Sequence, residues 1–153
     1  MKRIALTLIS AAVLAGCGGG DESTTNTEPR VPGPTDTLVV YERVGGIAGI
    51  RERLDVRPDG AARVTAGGPT LKARRFELNP AELDALRSAR DKVDFASLKR
   101  SYDSGVPIAD GFVTTVMADG RSVKVFTEGD PPDELARLLA VCAGIVTAHP
   151  PPP

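Results

Sequence analysis

The spacing of apolar residues constrains the fold of this chain more than any other feature of its sequence. From Leu38 to Ala66, apolar residues alternate with polar ones in several stretches, as they do in strands with one solvated face. From Asn79 onward the spacing becomes that of an amphipathic helix. A second alternating stretch and a second helical stretch follow before Ala148. This order of strands, helices, hairpin and helix predicts an α+β domain.

Short turn signals separate the predicted strands. Asp59–Gly60 and Asp119–Gly120 are pairs that favour two-residue hairpin turns. Gly67–Pro69 breaks the chain between them, and Leu71–Leu78 then has the composition of a charged edge strand. We therefore predict an antiparallel β-sheet of about four to five strands.

Capping residues mark the starts of the predicted helices. Asn79–Glu82 combines an N-cap, a proline at the first helical position and a capping-box acid. Asp94 predicts a second, short helix that carries Phe95 and Leu98. Pro131–Glu134 predicts the start of the last helix. That helix has one broad apolar stripe, formed by Leu135, Leu138, Leu139, Cys142, Ile145 and Val146. We expect two to three helices to pack on one face of the sheet.

Residues 1–16 have the layout of an export signal. Met1–Arg3 is basic, and the apolar run Ile4–Leu14 is shorter than the roughly 20 residues that span a bilayer. The run ends in small residues directly before Cys17, an arrangement that resembles the lipobox of bacterial lipoproteins. The resemblance implies cleavage before Cys17, acylation of its sulfur and attachment of the exported protein to a membrane. The alternative is an ordinary signal peptide with a cysteine near its cleavage site.

The rest of the chain divides by composition into three parts. Residues 17–37 hold Val31 as their one aliphatic side chain, so we predict a disordered linker behind the lipidated cysteine. Residues 38–148 are long enough for one globular domain, and 149–153 form a proline-rich tail that we also expect to be disordered. By the rule known for enteric bacteria, Gly18 after the cysteine implies the outer membrane if the cell has one.

Few residues of the processed chain suit catalysis or metal binding. His149 is the single histidine and lies in the predicted tail, so we expect neither a catalytic base nor a metal site. Cys142 lies on the apolar stripe, where burial favours an unreactive thiol. The formal net charge of −1, without a basic block, argues against binding to nucleic acid. We therefore predict no enzymatic activity, no cofactor and no small-molecule substrate.

One glycine-rich segment superficially resembles a phosphate-binding loop. A phosphate loop leads from a strand into a helix and carries a lysine before the helix. Gly45–Gly49 instead leads into Ile50–Arg57, which alternates as a strand does and begins without lysine. We therefore predict a connection between two strands here.

Four segments of the domain, taken together, resemble a known family of inhibitors. They are Val44–Ile50, Asn79–Leu83, Asp94–Leu98 and Pro131–Leu135. This series is similar to emfourin, the protealysin-inhibitor family, whose members act on thermolysin-like zinc metallopeptidases. The similarity covers about Tyr41 to Ile145, and the glycine-rich segment is its most specific part. The lipid anchor and the length of Asp59–Ala73 depart from the compact members of the family.

The resemblance implies a domain that binds and inhibits a thermolysin-like metallopeptidase by occluding its substrate cleft, with no ligand to the zinc. Its partner-binding loop would comprise Gly45, Gly46, Ile47, Ala48, Gly49 and Ile50. The alternative for this loop is a plain connection, in which the glycines adopt positive φ and the isoleucines cover the core beneath. The alternative for the whole protein is a non-inhibitory envelope lipoprotein that serves as an interaction or assembly module.

Overall fold

Residues 36–105 and 108–153 are described by a computed structural model of the protein. They form one seven-stranded sheet and two helices, which is an α+β arrangement, as predicted. The predicted signal peptide, the acylated Cys17 and the linker up to residue 35 lie outside the described residues, so those features stay predictions.

The sheet has more strands than the predicted four to five. In chain order they are β1 (Val39–Gly45), β2 (Ile50–Val56), β3 (Ala61–Gly67), β4 (Leu71–Glu77), β5 (Ser101–Tyr102), β6 (Phe112–Ala118) and β7 (Arg121–Phe126). Their order across the sheet is β4-β3-β2-β1-β6-β7-β5. All neighbours are antiparallel except β5 and β7, so the sheet is mixed rather than purely antiparallel. β5 has only two residues, which is too short for a periodic signal in the sequence.

Two helices follow the predicted capping signals. They are α1 (Pro80–Asp91) and α2 (Asp133–Ala148). The Asn79 side chain accepts a hydrogen bond from the Glu82 amide at 2.9 Å, and the Glu82 carboxylate accepts one from the Asn79 amide at 3.0 Å. The predicted capping box is therefore confirmed. The buried residues of α2 are those of its predicted stripe, with Leu139 only partly buried.

The prediction of a short helix starting at Asp94 is wrong. The chain makes a single turn there, in which the Asp94 carboxylate accepts from the Ala96 amide at 3.1 Å and the Asp94 carbonyl accepts from the Ser97 amide at 3.1 Å. Phe95 is buried in the core, as its apolar character suggests. The turn ends because the chain reaches β5 within a few residues, which leaves no length for a helix.

The core lies between one face of the sheet and the two helices. Alternate residues of the central strands face the helices, so that Tyr41 lies between Leu54 and Val116 across the sheet. Apart from Val40, all buried hydrophobic residues of the described chain belong to this single cluster. Each fully buried Leu or Val side chain contributes about 1.5–3 kcal/mol to the free energy of unfolding. Among the described residues, the cluster runs from Val39 to Val146.

The turns define two ends of the sheet. The proximal end carries the β2–β3 and β6–β7 turns, and the distal end carries the β1–β2 loop and the β3–β4 turn. Both predicted hairpins are confirmed at the proximal end, but only Asp119–Gly120 is a two-residue turn. Asp119 and Gly120 have φ 53° and 72°, and positive φ at both central residues fits a turn whose twist matches that of the strands. The β2–β3 connection is longer and spans 57–60; the Gly60 amide donates to the Arg57 carbonyl at 3.0 Å, and Gly60 has φ 92°.

The C-terminal histidine contacts the domain. The sequence predicts a frayed tail from His149, whereas its ring stacks on Phe76 with 4.1 Å between ring centroids. Its Nε2 atom also lies 2.9 Å from a Glu82 carboxylate oxygen. These contacts arise because α2 extends to Ala148 and brings the next residue beside β4. Among the described residues, neither helix combines the length and the apolar character that crossing a membrane requires.

Candidate functional site

The glycine-rich loop that the sequence singles out connects β1 to β2 at the distal end. Gly46 and Gly49 have φ 72° and 59°, a region that glycine enters without steric cost. The Gly49 amide donates a hydrogen bond to the Gly46 carbonyl at 3.0 Å, which closes the turn. The loop thus leads from strand to strand, as predicted, and not into a helix as a phosphate loop does.

The start of β6 supports one side of this loop. The Gly46 amide donates to the Gly111 carbonyl at 3.4 Å. A Cβ atom at Gly45 would lie 2.2 Å from the Gly111 oxygen, and one at Gly46 would lie 3.0 Å from the Phe112 ring. Glycine is therefore required at position 45 by close backbone approach as well as by its φ of 150°. The supporting strand fixes where the loop tip points.

The base of the loop carries a stacked cation. The Arg43 guanidinium lies 3.8 Å from the centroid of the Phe112 ring. The same group is 3.5 Å from a Glu52 carboxylate oxygen, across the β1–β2 ladder. A cation over an aromatic ring contributes about 0.5–1 kcal/mol when partly exposed, and the ion pair contributes less. Together these contacts hold the two strand ends on which the loop stands.

The isoleucines of the loop do not cover the core. Ile47 at the tip is 89% exposed, and Ile50 at the start of β2 is 38% exposed. The alternative in which both residues pack onto the core is therefore wrong. Ile50 does share the helix-facing side of the sheet with Leu54, but neither helix extends over it. An almost fully exposed isoleucine at the tip of a supported loop is available to a partner.

Exposed apolar residues from four further positions share the same end of the sheet. The five large exposed hydrophobic residues of the described chain form what we call the distal rim: Ile47, Ile50, Leu71, Ile108 and Phe126. Leu71 starts β4 and Phe126 ends β7, so the strand register places both at this end. Ile108 and Phe126 line one surface cavity of about 410 Å³ with Phe112. Of the five, Ile108 and Phe126 are thus the two that share one cavity, and adjacent exposed apolar side chains of this kind often mark interaction sites.

Sequence reasoning found the loop but missed the other three residues of the rim. Leu71 and Phe126 belong to strands whose partners are known only once the sheet order is known. Ile108 lies in the connection before β6, where no periodicity singles it out. The β3–β4 turn also approaches the β1–β2 loop, because a Cβ atom at Gly68 would lie 3.4 Å from the Ala48 carbonyl oxygen. Sequence reasoning did not predict this approach.

Two buried titratable residues, Cys142 and Tyr41, lie in the core and not at the distal rim. Cys142 is fully buried, as predicted, and burial raises the pKa of its thiol to about 12. Burial also raises the pKa of the Tyr41 hydroxyl to about 12. Neither group is ionised at neutral pH, so neither is an activated nucleophile. Among the described residues, no three His, Cys, Asp or Glu side chains come together as they would around a metal ion.

Sequence comparison adds no family to this description. Compared with models of protein families and with curated proteins, the chain matches none of them. The similarity to emfourin thus rests on the segments named above, of which Val44–Ile50 contains the β1–β2 loop and the strand ends beside it.

Proposed function

We propose that the protein is an exported lipoprotein, anchored through Cys17, whose domain binds and inhibits thermolysin-like zinc metallopeptidases. The exposure of Ile47 at the tip of a supported loop carries this proposal. Ile47 would enter an apolar pocket of the substrate cleft, and the rest of the loop would close the cleft to peptides. Burial of one isoleucine contributes about 1.5–3 kcal/mol to binding.

The support under the loop favours tight binding. A loop that becomes ordered only on binding loses affinity through its conformational entropy. Here the Gly46–Gly49 hydrogen bond and the contacts with Gly111 and Phe112 order the loop before any partner arrives. The free energy of binding then goes largely into contacts with the partner.

The backbone of the loop also explains how an inhibitor would escape cleavage. Peptides commonly bind to proteins as extended segments that pair with a strand. Gly46 and Gly49 instead hold the loop in a tight turn with positive φ. A peptide bond in this turn cannot align with the cleft as an extended substrate does. Inhibition by this route covers the zinc without any ligand to it.

The width of the distal rim favours a second function, that of a non-inhibitory interaction or assembly module in the cell envelope. Leu71 and Phe126 lie on β4 and β7, which are five strand spacings apart. With about 4.8 Å between strands, they are separated by about 24 Å. A surface this wide suits a flat partner as well as it suits a cleft.

One pair of variants separates these two functions. The chain from residue 18 to 153 is mixed with a thermolysin-like metallopeptidase, and hydrolysis of a short peptide substrate is measured. We expect Ile47→Asp to weaken inhibition about 30-fold, because burying a carboxylate in an apolar pocket costs about 2 kcal/mol. The matched control Leu71→Asp places the same charge on the rim outside the loop and should inhibit normally.

The controls of this experiment decide its meaning. Both variants must keep the thermal midpoint of the parent chain, since Ile47 and Leu71 are exposed. Added zinc should not restore peptidase activity. No inhibition by the parent chain at micromolar concentration would contradict the inhibitor proposal and favour the interaction module.

The lipid anchor has a separate test. Labelling with palmitate in the producing cell should be lost in Cys17→Ser and kept in Cys142→Ser, because the second cysteine is buried in the domain. Labelling of the Cys17→Ser protein at the parent level would contradict the anchor.

A further inference from the structure

The two edge strands of the sheet differ in length. β5 at one edge has two residues, whereas β4 at the other edge has seven. Among the described residues, the backbone groups of β4 form hydrogen bonds only with β3. Every second amide and carbonyl of this strand therefore points outward without a described protein partner.

Most of the charged side chains of β4 are cationic. Lys72, Arg74 and Arg75 are exposed, and Glu77 is the one acid of the strand. Arg75 lies directly opposite Arg63 of β3, so that two like charges share one face of the sheet. Neither arginine forms an ion pair with a described residue.

The face that holds Arg63 and Arg75 also carries Glu77 of β4 and Asp55 of β2, and Asp55 is already engaged. Asp55 is the neighbour of Arg63 on β2, but its carboxylate accepts from the Arg53 guanidinium at 2.7 Å. Like charges directly opposite each other destabilise a strand pair, whereas an anion beside both would relieve the repulsion. The edge of the sheet is thus positively charged where its backbone is open.

This charge distribution selects among the partners that the edge can pair with. A second copy of β4 would place lysine and arginine against lysine and arginine, which opposes self-pairing. An acidic strand would gain both the backbone ladder and favourable cross-strand charge pairs. We propose that β4 accepts an extended acidic segment of a partner protein as an eighth, outer strand.

The order of cations along β4 specifies the segment further. An antiparallel strand places its residues opposite 75, 74, 73 and 72 in succession. Acids opposite Arg75, Arg74 and Lys72, with a small or apolar residue opposite Ala73, give the pattern acid-acid-x-acid. This surface lies along the edge of the sheet and does not include the β1–β2 loop, so it does not rest on the inhibitor function.

A labelled synthetic peptide with the central sequence Glu-Glu-Val-Glu, flanked by Val and Thr, tests this proposal. The chain from residue 18 to 153 should bind it, and binding should weaken with added salt. Amide hydrogen exchange should slow at alternate residues of β4 when the peptide is bound. The same peptide with Gln in place of each Glu should bind about tenfold more weakly or worse.

Matched charge reversals locate the binding surface. Arg75→Glu should weaken binding of the acidic peptide about tenfold, because one attraction becomes a repulsion. Arg137→Glu makes the same change on the exposed side of α2 and should bind as the parent does. Ile47→Asp should also bind normally, which separates this surface from the loop. Arg75→Gln with an unchanged thermal midpoint guards against a folding defect.

Three results would each overturn the proposal. They are equal binding of the Glu and Gln peptides, normal binding by Arg75→Glu, and protection of amides outside β4. In that case the cations of β4 serve only to keep edges of neighbouring molecules apart.

Discussion

The two ends of the sheet are made of similar tight turns but differ in their contacts with the helices. At the proximal end, Arg87 of α1 donates to the Pro58 carbonyl at 2.8 Å, and Arg90 pairs with Asp119. At the distal end, no helix residue in the described part of the chain forms a hydrogen bond with the β1–β2 loop. The same kind of turn therefore stabilises the domain at one end and presents Ile47 at the other.

Exposure rises along the helix-facing side of β1 and β2. Val39 and Tyr41 of β1, with their partners on β2, are almost completely buried. One step further toward the distal end, the Arg43 and Glu52 side chains are 39% and 27% exposed. Ile50 follows at 38%. The difference teaches that the core stops short of the distal end, which leaves that end free to evolve contacts with a partner.

The largest expected change in stability is at Gly45, where β6 supports the β1–β2 loop. Gly45→Ala should lower the free energy of unfolding by about 3 kcal/mol, through the clash with the Gly111 carbonyl and the strained φ. Urea denaturation measures this change.

Gly49→Ala in the same loop is the matched control. Its Cβ atom meets nothing within 4 Å, so only the cost of a left-handed residue applies, about 1–2 kcal/mol. Equal losses in the two variants would show that β6 does not support the loop.

Alkaline pH should lower the free energy of unfolding through a titratable group in the buried core. Burial raises the pKa of the Cys142 thiol from 9.0 to about 12. Between these values the unfolded chain loses a proton that the folded chain keeps, so unfolding becomes easier as the pH rises. Above pH 9 the stability should fall by about 1.4 kcal/mol per pH unit from this group.

Cys142→Ala isolates the contribution of the thiol. The variant is less stable at pH 7, through lost burial, but its stability should fall less steeply above pH 9. Tyr41, whose pKa is also raised, accounts for a remaining decline above pH 10. Parallel pH profiles of the variant and the parent chain would contradict the burial of Cys142.

A smaller effect is expected from the tie between α1 and the β6–β7 turn. Arg90→Ala removes the hydrogen bonds to Asp91 and Asp119 and should lower the free energy of unfolding by about 1–2 kcal/mol. Arg43→Ala at the distal end should cost about 0.5–1 kcal/mol, since it loses the ring contact and one ion pair. A larger loss for Arg43 than for Arg90 would reverse the contrast between the two ends.

The smallest effect concerns Glu82, which links α1 to the C-terminus. The hydrogen bond with His149 is the main cause that holds the pKa of this carboxyl below its usual 4.5, and the Asn79 amide adds to it. The carboxylate thus stabilises the folded chain above pH 4.5, and this contribution is lost as the pH falls through the lowered pKa. Glu82→Gln should cost about 0.5–1 kcal/mol at pH 7 through the weakened cap.

The acid limb of the pH profile checks this assignment. The difference between Glu82→Gln and the parent chain should shrink toward zero as the pH falls through the lowered pKa of the Glu82 carboxyl. His149→Phe keeps a ring on Phe76 but removes the hydrogen bond, so it should reproduce part of the change. A difference that persists in acid would show that Glu82 acts through something other than its charge.

Local signals account for the features that the sequence predicts well. Asn79 and Glu82 complete their capping box within one helical turn, and Asp119–Gly120 needs only its two flanking strands. The distal rim is different, because Leu71 and Phe126 share an end only through the register of the intervening strands. Which residues belong to the rim is therefore known only once the order of the strands is known, and the local patterns of one sequence do not give that order. The position of His149 was missed for a similar reason, since Phe76 is remote in sequence.

The direction of β1 determines the end at which a tether would hold the domain. The described chain begins at Asp36 beside the proximal end, where the Leu38 amide donates to the Val56 carbonyl at 2.8 Å. β1 then spans about 23 Å toward the distal end. In a protein acylated at Cys17, the linker would join the domain at the end opposite to Ile47, so the linker would not cover the loop at its point of attachment. An anchored domain diffuses only within the plane of the membrane. A secreted partner would therefore have to diffuse to it from solution.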